Sequence, residues 1–275
     1  MEVSGRVAVV TGGASGIGRS LCFALAEHGA RGVVVADVDA GGAAQTAADI
    51  EAGGHRALAV TADMSTEDEV KALVARTEEV FGPVDLFFSN AGIIVDGGVE
   101  VADEAWSRIW AINVQSHVYA TRALLPGMLA RGEGYLVITA SAAGLLTELG
   151  SAPYSVTKHA AVGLAEWLSI TYGDRGLRVS CLCPQAVRTN LIATSHREIS
   201  EMPPERTGLG TPQASVDGVL TPDEVAQSVI AAVREERFLI LPHPEVATYE
   251  QRRAGDRERW LRGMRRLQAR LGGQG

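Results

Sequence analysis

The sequence lacks the features of a secreted, membrane or nucleic-acid-binding protein. No apolar run reaches the roughly 18 residues that a transmembrane helix needs, and the stretch from Met1 to Arg6 holds no apolar signal segment. The formal net charge of −8 argues against broad binding to the phosphates of nucleic acid. We therefore expect a cytoplasmic protein that binds neither nucleic acid nor membrane.

Cysteine is also scarce. Cys22, Cys181 and Cys183 are the only cysteines, and they lie in helix or strand patterns, so we expect buried thiols. Cys181 and Cys183 alternate on an apolar strand, but no second pair and no histidine cluster completes a zinc site. We expect no bound metal.

The chain has 275 residues with 46% apolar content, which fits one α/β domain. Apolar strand patterns alternate with helical patterns, and this alternation indicates a parallel sheet with helices on both faces. We predict a single Rossmann-type, doubly wound sheet of about seven strands. The predicted strands are 6–10, 32–36, 56–61, 84–89, 134–140, 177–183 and 237–241, and the predicted helices are 20–28, 40–53, 66–81, 103–131, 153–174 and 222–235.

Two segments stand apart from this alternation. Within the predicted catalytic domain, 1–245, the segment 190–220 is rich in Pro, Ser, Thr and Glu, and we expect a mobile substrate loop there. The segment 246–275 is rich in arginine, and we expect a helical extension that docks on its own or a neighbouring subunit. Its apolar residues at helical spacing are Trp260, Leu261, Met264, Leu267 and Leu271.

A glycine turn follows the first predicted strand directly. Gly12, Gly16 and Gly18 stand between this strand and a helical pattern. Glycine permits positive φ and close approach to a ligand, and the free amides at a helix start suit a pyrophosphate. The spacing G-x-x-x-G-x-G is also compatible with a tight connection and nothing more.

A carboxylate ends the second predicted strand. Asp37 stands nineteen residues after Gly18, where a carboxylate accepts hydrogen bonds from the adenosine ribose hydroxyls and repels a 2′-phosphate. Gly13 and Val38, which stand where that phosphate would be held, carry no positive charge. The pattern favours NAD over NADP, and the alternative is a helix-capping aspartate.

Tyr154 and Lys158 are spaced for one face of a helix. A nearby ammonium favours the phenolate and lowers the phenol's pKa, which would make Tyr154 a general acid or base. Ser141 stands thirteen residues upstream, at the end of an apolar run. Taken alone, the spacing also fits a solvated or half-buried helix face.

Together these features resemble the short-chain dehydrogenase/reductase family over residues 3–241. The resemblance depends on several separate motifs occurring in order at plausible strand ends. These are Thr11-Gly12-x-x-x-Gly16-x-Gly18, Asp63, Asn90-Ala91-Gly92, Asn113, Ser141, Tyr154, Lys158, Pro184 and Thr189.

The resemblance implies a catalytic set of Asn113, Ser141, Tyr154 and Lys158. Tyr154 would exchange a proton with the substrate oxygen, and Ser141 would hold that oxygen. Lys158 would lower the pKa of Tyr154 and bond the nicotinamide ribose, while Asn113 would anchor a water chain from Lys158 to solvent.

The resemblance also implies contacts with the dinucleotide along the strand ends. The implied cofactor-binding residues are Gly12, Ser15, Gly16, Ile17, Gly18, Asp37, Asp63, Met64, Asn90, Ala91, Gly92, Tyr154, Lys158, Pro184, Val187 and Thr189.

The substrate side is less defined. The family commonly has glycine after the proline of the sixth strand, whereas this chain has Gln185, which we expect to contact a polar substituent of the substrate. Ile94 and Leu145 stand in apolar segments beside the expected site and favour a hydrophobic or cyclic alcohol, such as a steroid-like or terpenoid-like molecule, over a sugar. The alternative is that these side chains pack under the loop.

The resemblance therefore implies an NAD-dependent oxidoreductase that transfers a hydride between a secondary alcohol or ketone and the nicotinamide. Two alternatives are an NADPH-dependent ketoreductase of fatty-acid or polyketide type and a non-catalytic dinucleotide-binding regulator. In similar proteins, the helices corresponding to 103–131 and 153–174 pair across a two-fold axis, so we expect a homodimer or homotetramer. We expect His117 and His159 near that contact, without a catalytic role.

Overall fold

The computed structural model describes residues 1–189, 191, 195 and 217–272. The strands described form one sheet in the order β3-β2-β1-β4-β5-β6-β7, and each neighbouring pair is parallel. These strands are Val7–Thr11 (β1), Gly32–Asp37 (β2), Ala57–Thr61 (β3), Leu86–Ser89 (β4), Gly134–Thr139 (β5), Leu177–Leu182 (β6) and Leu239–Ile240 (β7). The predicted doubly wound, Rossmann-type sheet is confirmed.

Helices connect the strands and cover the sheet. In chain order, the α-helices described are Gly16–Glu27 (α1), Ala40–Ala52 (α2), Glu67–Phe81 (α3), Asp103–Trp110 (α4), Ser116–Arg131 (α5), Ala143–Leu146 (α6), Ala152–Tyr172 (α7), Pro222–Glu235 (α8), Glu245–Gly255 (α9) and Arg257–Gly272 (α10). The strand order reverses between β1 and β4, and a ligand crevice forms at the carboxyl ends of the strands at such a point.

The core lies on both faces of the sheet, which explains why the strands are apolar without a polar face. On β1, Val7 and Val9 join a cluster that includes side chains of α3, α5 and α7. Ala8 and Val10 point the other way and pack with side chains of α1, α2 and α8.

The segment predicted as one helix, 103–131, contains a π-helical turn. Ala111–Gln115 separates α4 from α5, and the amide of Ser116 donates to the carbonyl of Ala111, five residues earlier. Such a turn widens the helix locally and occurs often at functional sites. It carries Asn113, a member of the predicted catalytic set.

The C-terminal segment packs against the core of the same chain. Its arginine-rich part forms α9 and α10 with a break at Asp256, and Val246 of α9 is fully buried in the core. Trp260 of α10 packs against the same core cluster. Most of the predicted substrate loop 190–220 lies outside the described residues.

Three further predictions concern cysteine, metal and membrane. Cys22, Cys181 and Cys183 are buried free thiols, as predicted. Within the described ranges no group of three or more His, Cys, Asp or Glu side chains is placed to hold a metal ion. None of the helices described is long and apolar enough to cross a lipid bilayer.

Candidate active site

A hydrogen-bond network around Asn90 joins the carboxyl ends of β1, β4 and β5. The Asn90 amide nitrogen Nδ2 donates to the carbonyl of Thr11 at 3.1 Å, and the Thr11 Oγ1 accepts from the backbone amides of Asn90 and Ala91 at 2.9 and 3.0 Å. Thr139, the last residue of β5, donates to the Asn90 Oδ1 at 3.3 Å. Asn90 therefore holds together the edge of the sheet on which the predicted site residues lie.

The glycine turn packs tightly against this network. Gly12 and Gly16 have φ values of +69° and +53°, which glycine adopts without strain. A Cβ on Gly18 would lie 2.0 Å from the carbonyl oxygen of Gly12, and a Cβ on Gly16 would lie 3.1 Å from the Thr189 Cγ2. The Ser15 side chain makes no capping hydrogen bond to α1. The turn thus exposes the amino end of α1 next to Thr189.

Asp37 is connected to the same turn. Its carboxylate accepts from the backbone amide of Ala14 at 2.9 Å and from that of Asp39 at 3.0 Å. Burial raises the pKa of Asp37, although these two hydrogen bonds act in the opposite direction. Each carboxylate oxygen accepts one bond and has capacity for another, so Asp37 can also accept from a ligand hydroxyl.

Arg19 is a cation in this region that the sequence analysis did not consider. It follows the glycine turn on α1, but its guanidinium pairs with Asp49 at 2.9 Å and lies over the ring of Phe23. The Arg19 guanidinium is therefore engaged by Asp49 and Phe23.

Tyr154 and Lys158 lie on one face of α7, as predicted. The helix begins with Ser151 as its N-cap, whose Oγ accepts from the backbone amide of Tyr154 at 3.3 Å. The Lys158 Nζ lies 5.5 Å from the centroid of the Tyr154 ring and donates to the carbonyl of Thr139 at 2.9 Å. Lys158 is 3% exposed, so its ammonium is fixed between α7 and the end of β5.

Burial has the largest effect on the electrostatics of this pair. Desolvation of the half-buried phenol raises the pKa of Tyr154 to about 12, although its hydrogen bond with Ser141 acts in the opposite direction. Burial lowers the pKa of Lys158 to about 8. The expectation that the Lys158 ammonium lowers the phenol's pKa toward working pH stays a prediction.

Ser141 follows β5 and lies beside Tyr154. Its hydroxyl donates to the carbonyl of Pro184 at 3.4 Å and accepts from the amide of Ala143 at 3.1 Å. The side chain is 9% exposed. Ser141 therefore connects the phenol to the segment after β6.

Asn113 is fully buried and is bonded to backbone rather than to Lys158. Its side-chain amide donates to the carbonyl of Ile93 at 2.8 Å and accepts from the amide of Ile93 at 2.8 Å. A Cβ on Gly92 would lie 3.2 Å from the Asn113 Oδ1 and 3.4 Å from the Lys158 Nζ. Asn113 and Lys158 thus flank Gly92, and the water chain between them stays a prediction.

Asp63 faces an arginine that the sequence analysis missed. Its carboxylate pairs with Arg108 of α4 at 3.2 Å and accepts from the amide of Ser65 at 2.9 Å. Burial acts to raise the pKa of Asp63, but the bonds from Ser65 and Arg108 outweigh it and hold the pKa below its usual value. Met64, the next residue, is 4% exposed and packs in the core, so its side chain is not free to face a ligand.

The segment after β6 runs past both the glycine turn and Ser141. Val187 pairs with Leu220, and both pack against the cluster that also receives Ile17 of α1. The Pro184 carbonyl accepts from Ser141, as described, and Thr189 touches the glycine turn. The predicted cofactor-binding residues of β1, β2, β4 and β6 thus meet at one edge of the sheet.

The predicted substrate residues divide into two groups. The amide of Ile94 donates to the Ser195 Oγ at 2.9 Å, and Gln185 follows Pro184 with its side-chain Oε1 buried and unpartnered. Leu145, in contrast, is 5% exposed and packs in the main core cluster. Its burial favours the alternative that this side chain packs, over a contact with the substrate.

His117 is also placed differently from the prediction. It is 1% exposed rather than near a surface contact, and its Nδ1 lies 2.6 Å from the Oγ of Ser89 at the end of β4. Burial, with a smaller effect from the Lys158 ammonium, lowers the pKa of His117 to about 3. His117 is therefore a neutral core residue.

Comparison with known proteins identifies the family. A family model described as short chain dehydrogenase matches residues 6–200. The chain belongs to the short-chain dehydrogenase/reductase family. The resemblance drawn from the motifs is confirmed, and this short-chain dehydrogenase is an oxidoreductase.

Relatives of this short-chain dehydrogenase extend over most of its length. It is 34% identical to 3beta-hydroxysteroid dehydrogenase 2 of Eggerthella lenta over 228 residues, which is 82% of this chain and 86% of that protein. It is 33% identical to cyclohexanol dehydrogenase of an Acinetobacter species, covering 70% of this chain and 77% of that protein. A solved short-chain dehydrogenase/reductase from Burkholderia phymatum in complex with NAD has a TM-score of 0.84 and 33% identity, covering 94% of this chain and 96% of that chain.

Proposed function

We propose that this short-chain dehydrogenase oxidises a secondary alcohol to a ketone with NAD, and reduces the ketone in the reverse direction. The observation that carries the proposal is the convergence of Ser141, Tyr154 and Lys158 beside the glycine turn. A phenol, a hydroxyl and a buried ammonium at the carboxyl edge of a dinucleotide-type sheet are the groups that alcohol oxidation needs.

The residues at this edge fit a dinucleotide. The glycine turn has no room for a Cβ at Gly18, and the amino end of α1 offers free amides to a pyrophosphate. We propose that Asp37 binds the adenosine ribose and that Asn90 and Thr189 border the nicotinamide half. Bound NAD⁺ would supply the hydride acceptor and a positively charged ring. The NAD complex of the Burkholderia phymatum protein supports this assignment.

The protein's own contribution is proton transfer and orientation. Tyr154, as phenolate, takes the hydroxyl proton of the alcohol while the Ser141 hydroxyl holds the same oxygen. The pKa of Tyr154 must fall from about 12 for this step, and the positive charges of Lys158 and of the bound cofactor act in that direction. Lys158 keeps its position through its bond to Thr139.

We propose that NAD is preferred over NADP. The Asp37 carboxylate would lie next to a 2′-phosphate and repel it, and the Arg19 guanidinium already pairs with Asp49. An apolar or cyclic alcohol is the proposed substrate class. The hydroxysteroid and cyclohexanol dehydrogenases among the relatives support this class.

The test of the proposed function is a panel of secondary alcohols with NAD⁺. We expect cyclic and steroid alcohols to be oxidised, with turnover followed by the absorbance of the reduced cofactor, and sugars to react at least tenfold more slowly. If no alcohol in the panel is oxidised while NADH still binds, the proposal is wrong and the regulator alternative is favoured.

Replacing Asp37 with alanine should change cofactor choice. A hydrogen bond to a charged group contributes about 1.5–3 kcal/mol, so we expect NADH to bind roughly tenfold or more weakly and NADPH to bind better than in the wild type. Fluorescence titration of both cofactors measures the change. Asp174→Ala, at an exposed carboxylate in the short 3₁₀ turn after α7, is the control and should leave both affinities as they are. Equal preference for NADH and NADPH in the wild type would contradict the assignment.

We also propose a homodimer or homotetramer that uses the outer faces of α4 and α7. Large apolar side chains are exposed on these helices: Trp110 is 42% exposed, Trp167 is 53% exposed and Ile170 is 84% exposed. Apolar patches of this kind mark interfaces between copies. A monomer in sedimentation would contradict this assembly.

A further inference from the structure

Buried polar atoms without a hydrogen-bond partner gather at one place in the described part of the chain. These atoms are the Gln185 Oε1, the Asp217 Oδ2 and the His243 Nε2. The other two such side-chain atoms described belong to Thr46 and His117, on other elements. Buried polar groups in folded proteins are nearly always bonded, so three in one place indicate a partner that the described residues do not supply.

His243 is fixed by the segment after β6. The backbone amide of Gln185 donates to the His243 Nδ1 at 3.2 Å, so this nitrogen is the acceptor and the ring proton is on Nε2. The side chain is 2% exposed. Burial lowers the pKa of His243, with the backbone of Gly218 and the nearby carboxylates acting in the opposite direction. A neutral His243 therefore offers an N–H donor at Nε2.

Asp217 is fixed by a side chain of α9. The hydroxyl of Tyr249, on α9, donates to the Asp217 Oδ1 at 2.9 Å and leaves Oδ2 without a partner. Nearby, the amide of Leu220 donates to the carbonyl of Ala186 at 3.1 Å. The three atoms are thus held in place by four parts of the chain, each through its backbone or a bonded side chain. These parts are the end of β6, the end of β7, residues 217–220 and α9.

This cluster adjoins the proposed reaction site. The Pro184 carbonyl accepts from the Ser141 hydroxyl at 3.4 Å and from the amide of Ala142 at 2.9 Å, and Gln185 is the next residue. The Ser141 hydroxyl, which would hold the reacting oxygen, therefore bonds to the residue directly before Gln185, the first member of the cluster. α9 also contacts α6, which follows Ser141.

The geometry points to a polar subsite, formed by Gln185, Asp217 and His243, that binds a second hydroxyl group on the substrate. This inference rests on the proposed alcohol oxidation. A hydroxyl matches the three atoms, because its oxygen accepts from the His243 Nε2–H and its proton is donated to the Asp217 Oδ2 or the Gln185 Oε1. A carboxylate or phosphate does not match, because the Asp217 carboxylate repels it. The substrate class is therefore a hydroxylated cyclic alcohol whose remaining surface is apolar.

The test uses matched pairs of alcohols that differ only in a second hydroxyl. The pairs are cyclohexanol with cyclohexane-1,3-diol and 1,4-diol, and a steroid monoalcohol with steroid diols. The measured quantity is the ratio of kcat/KM for the diol to that for the monoalcohol. We expect a ratio of roughly ten for at least one pair in the wild type, since one or two hydrogen bonds have about this effect.

Substitution should remove the preference. Gln185→Met keeps the length of the side chain and the backbone amide, and we expect it to bring the ratio to about one. Asp217→Asn is the second variant, and we expect it to lower the ratio as well. Circular dichroism checks that both variants are folded. Gln45→Met, the same change at an exposed position on α2, is the matched control and should keep the wild-type ratio. Ratios that stay at the wild-type value in both folded variants, or a wild type without preference in every pair, would overturn the subsite.

Failure of the proposed function is distinguishable from failure of the subsite. If no alcohol is oxidised, the oxidoreductase assignment to alcohols fails, and ligand-observed NMR with NADH present then measures binding of the same pairs without turnover. Tighter binding of a diol that is lost in Gln185→Met supports the subsite. Equal binding of diol and monoalcohol overturns it.

Discussion

Tyr154→Phe is expected to reduce alcohol oxidation by about 10³-fold or more and to leave NADH affinity within about threefold of the wild type. The substitution removes the group that takes the proton and one of the two hydroxyls that hold the substrate oxygen, and each effect contributes about 10²-fold or more. The cofactor contacts that we propose are made mainly by the glycine turn, Asp37 and Asn90, which the substitution does not touch.

Steady-state kinetics and fluorescence titration with NADH measure the two quantities separately. Because the wild-type phenol has a pKa of about 12 in this structure, turnover should rise with pH through the neutral range as the phenolate fraction increases. The rise should be absent in Tyr154→Phe. Tyr172→Phe, at the other end of α7, is the control. Residual activity above one tenth of the wild type would show that another group takes the proton.

Lys158→Met is expected to stabilise the fold while it removes function. Burial lowers the pKa of Lys158 from 10.5 to about 8, and each pKa unit corresponds to about 1.4 kcal/mol, so the buried ammonium costs about 3 kcal/mol at neutral pH. Loss of the bond to Thr139 offsets about 1 kcal/mol of this gain. We expect a net increase of about 2 kcal/mol in the free energy of unfolding at pH 7, with NADH binding and turnover both strongly reduced.

The pH dependence tests the cause of this stabilisation. The unfolded chain binds the Lys158 proton more tightly than the folded protein, so the cost is present in full below pH 8. As pH rises from about 8 to 10.5, the cost is lost and the wild type should approach Lys158→Met in stability. Denaturant titration at several pH values measures the difference. Lys71→Met, at an exposed lysine of α3, is the control. A variant less stable than the wild type at pH 7 would contradict the pKa shift.

The sequence predicted those parts of the site that depend on local pattern. Gly12, Gly16 and Asp37 are recognisable because a turn or a strand end restricts the residue type, and Tyr154 and Lys158 because helical spacing puts them on one face. The structure places all five as expected relative to the sheet. The sheet was also predictable, because apolar runs typical of strands alternate with amphipathic runs typical of helices.

Features that depend on tertiary packing were not predictable in the same way. The π-helical turn carries Asn113, and it forms where the side-chain amide of Asn113 is hydrogen-bonded to the backbone of Ile93, which is distant in sequence. The burial of Leu145 and His117 depends on how α6 and α5 meet the core. His243 carried no motif, and its position beside Gln185 follows only from the pairing of β6 with β7.

The position of Lys158 also makes it a spectroscopic reporter. The chain contains two lysines, Lys71 and Lys158, and its other Lys or Arg positions are all arginine. Incorporation of lysine labelled with carbon-13 at Cε would therefore give two lysine NMR signals. One belongs to an exposed amine and the other to an amine enclosed between α7 and β5. The titration of the enclosed signal would follow the charge of this one side chain as cofactor and substrate bind, with the exposed signal as an internal standard.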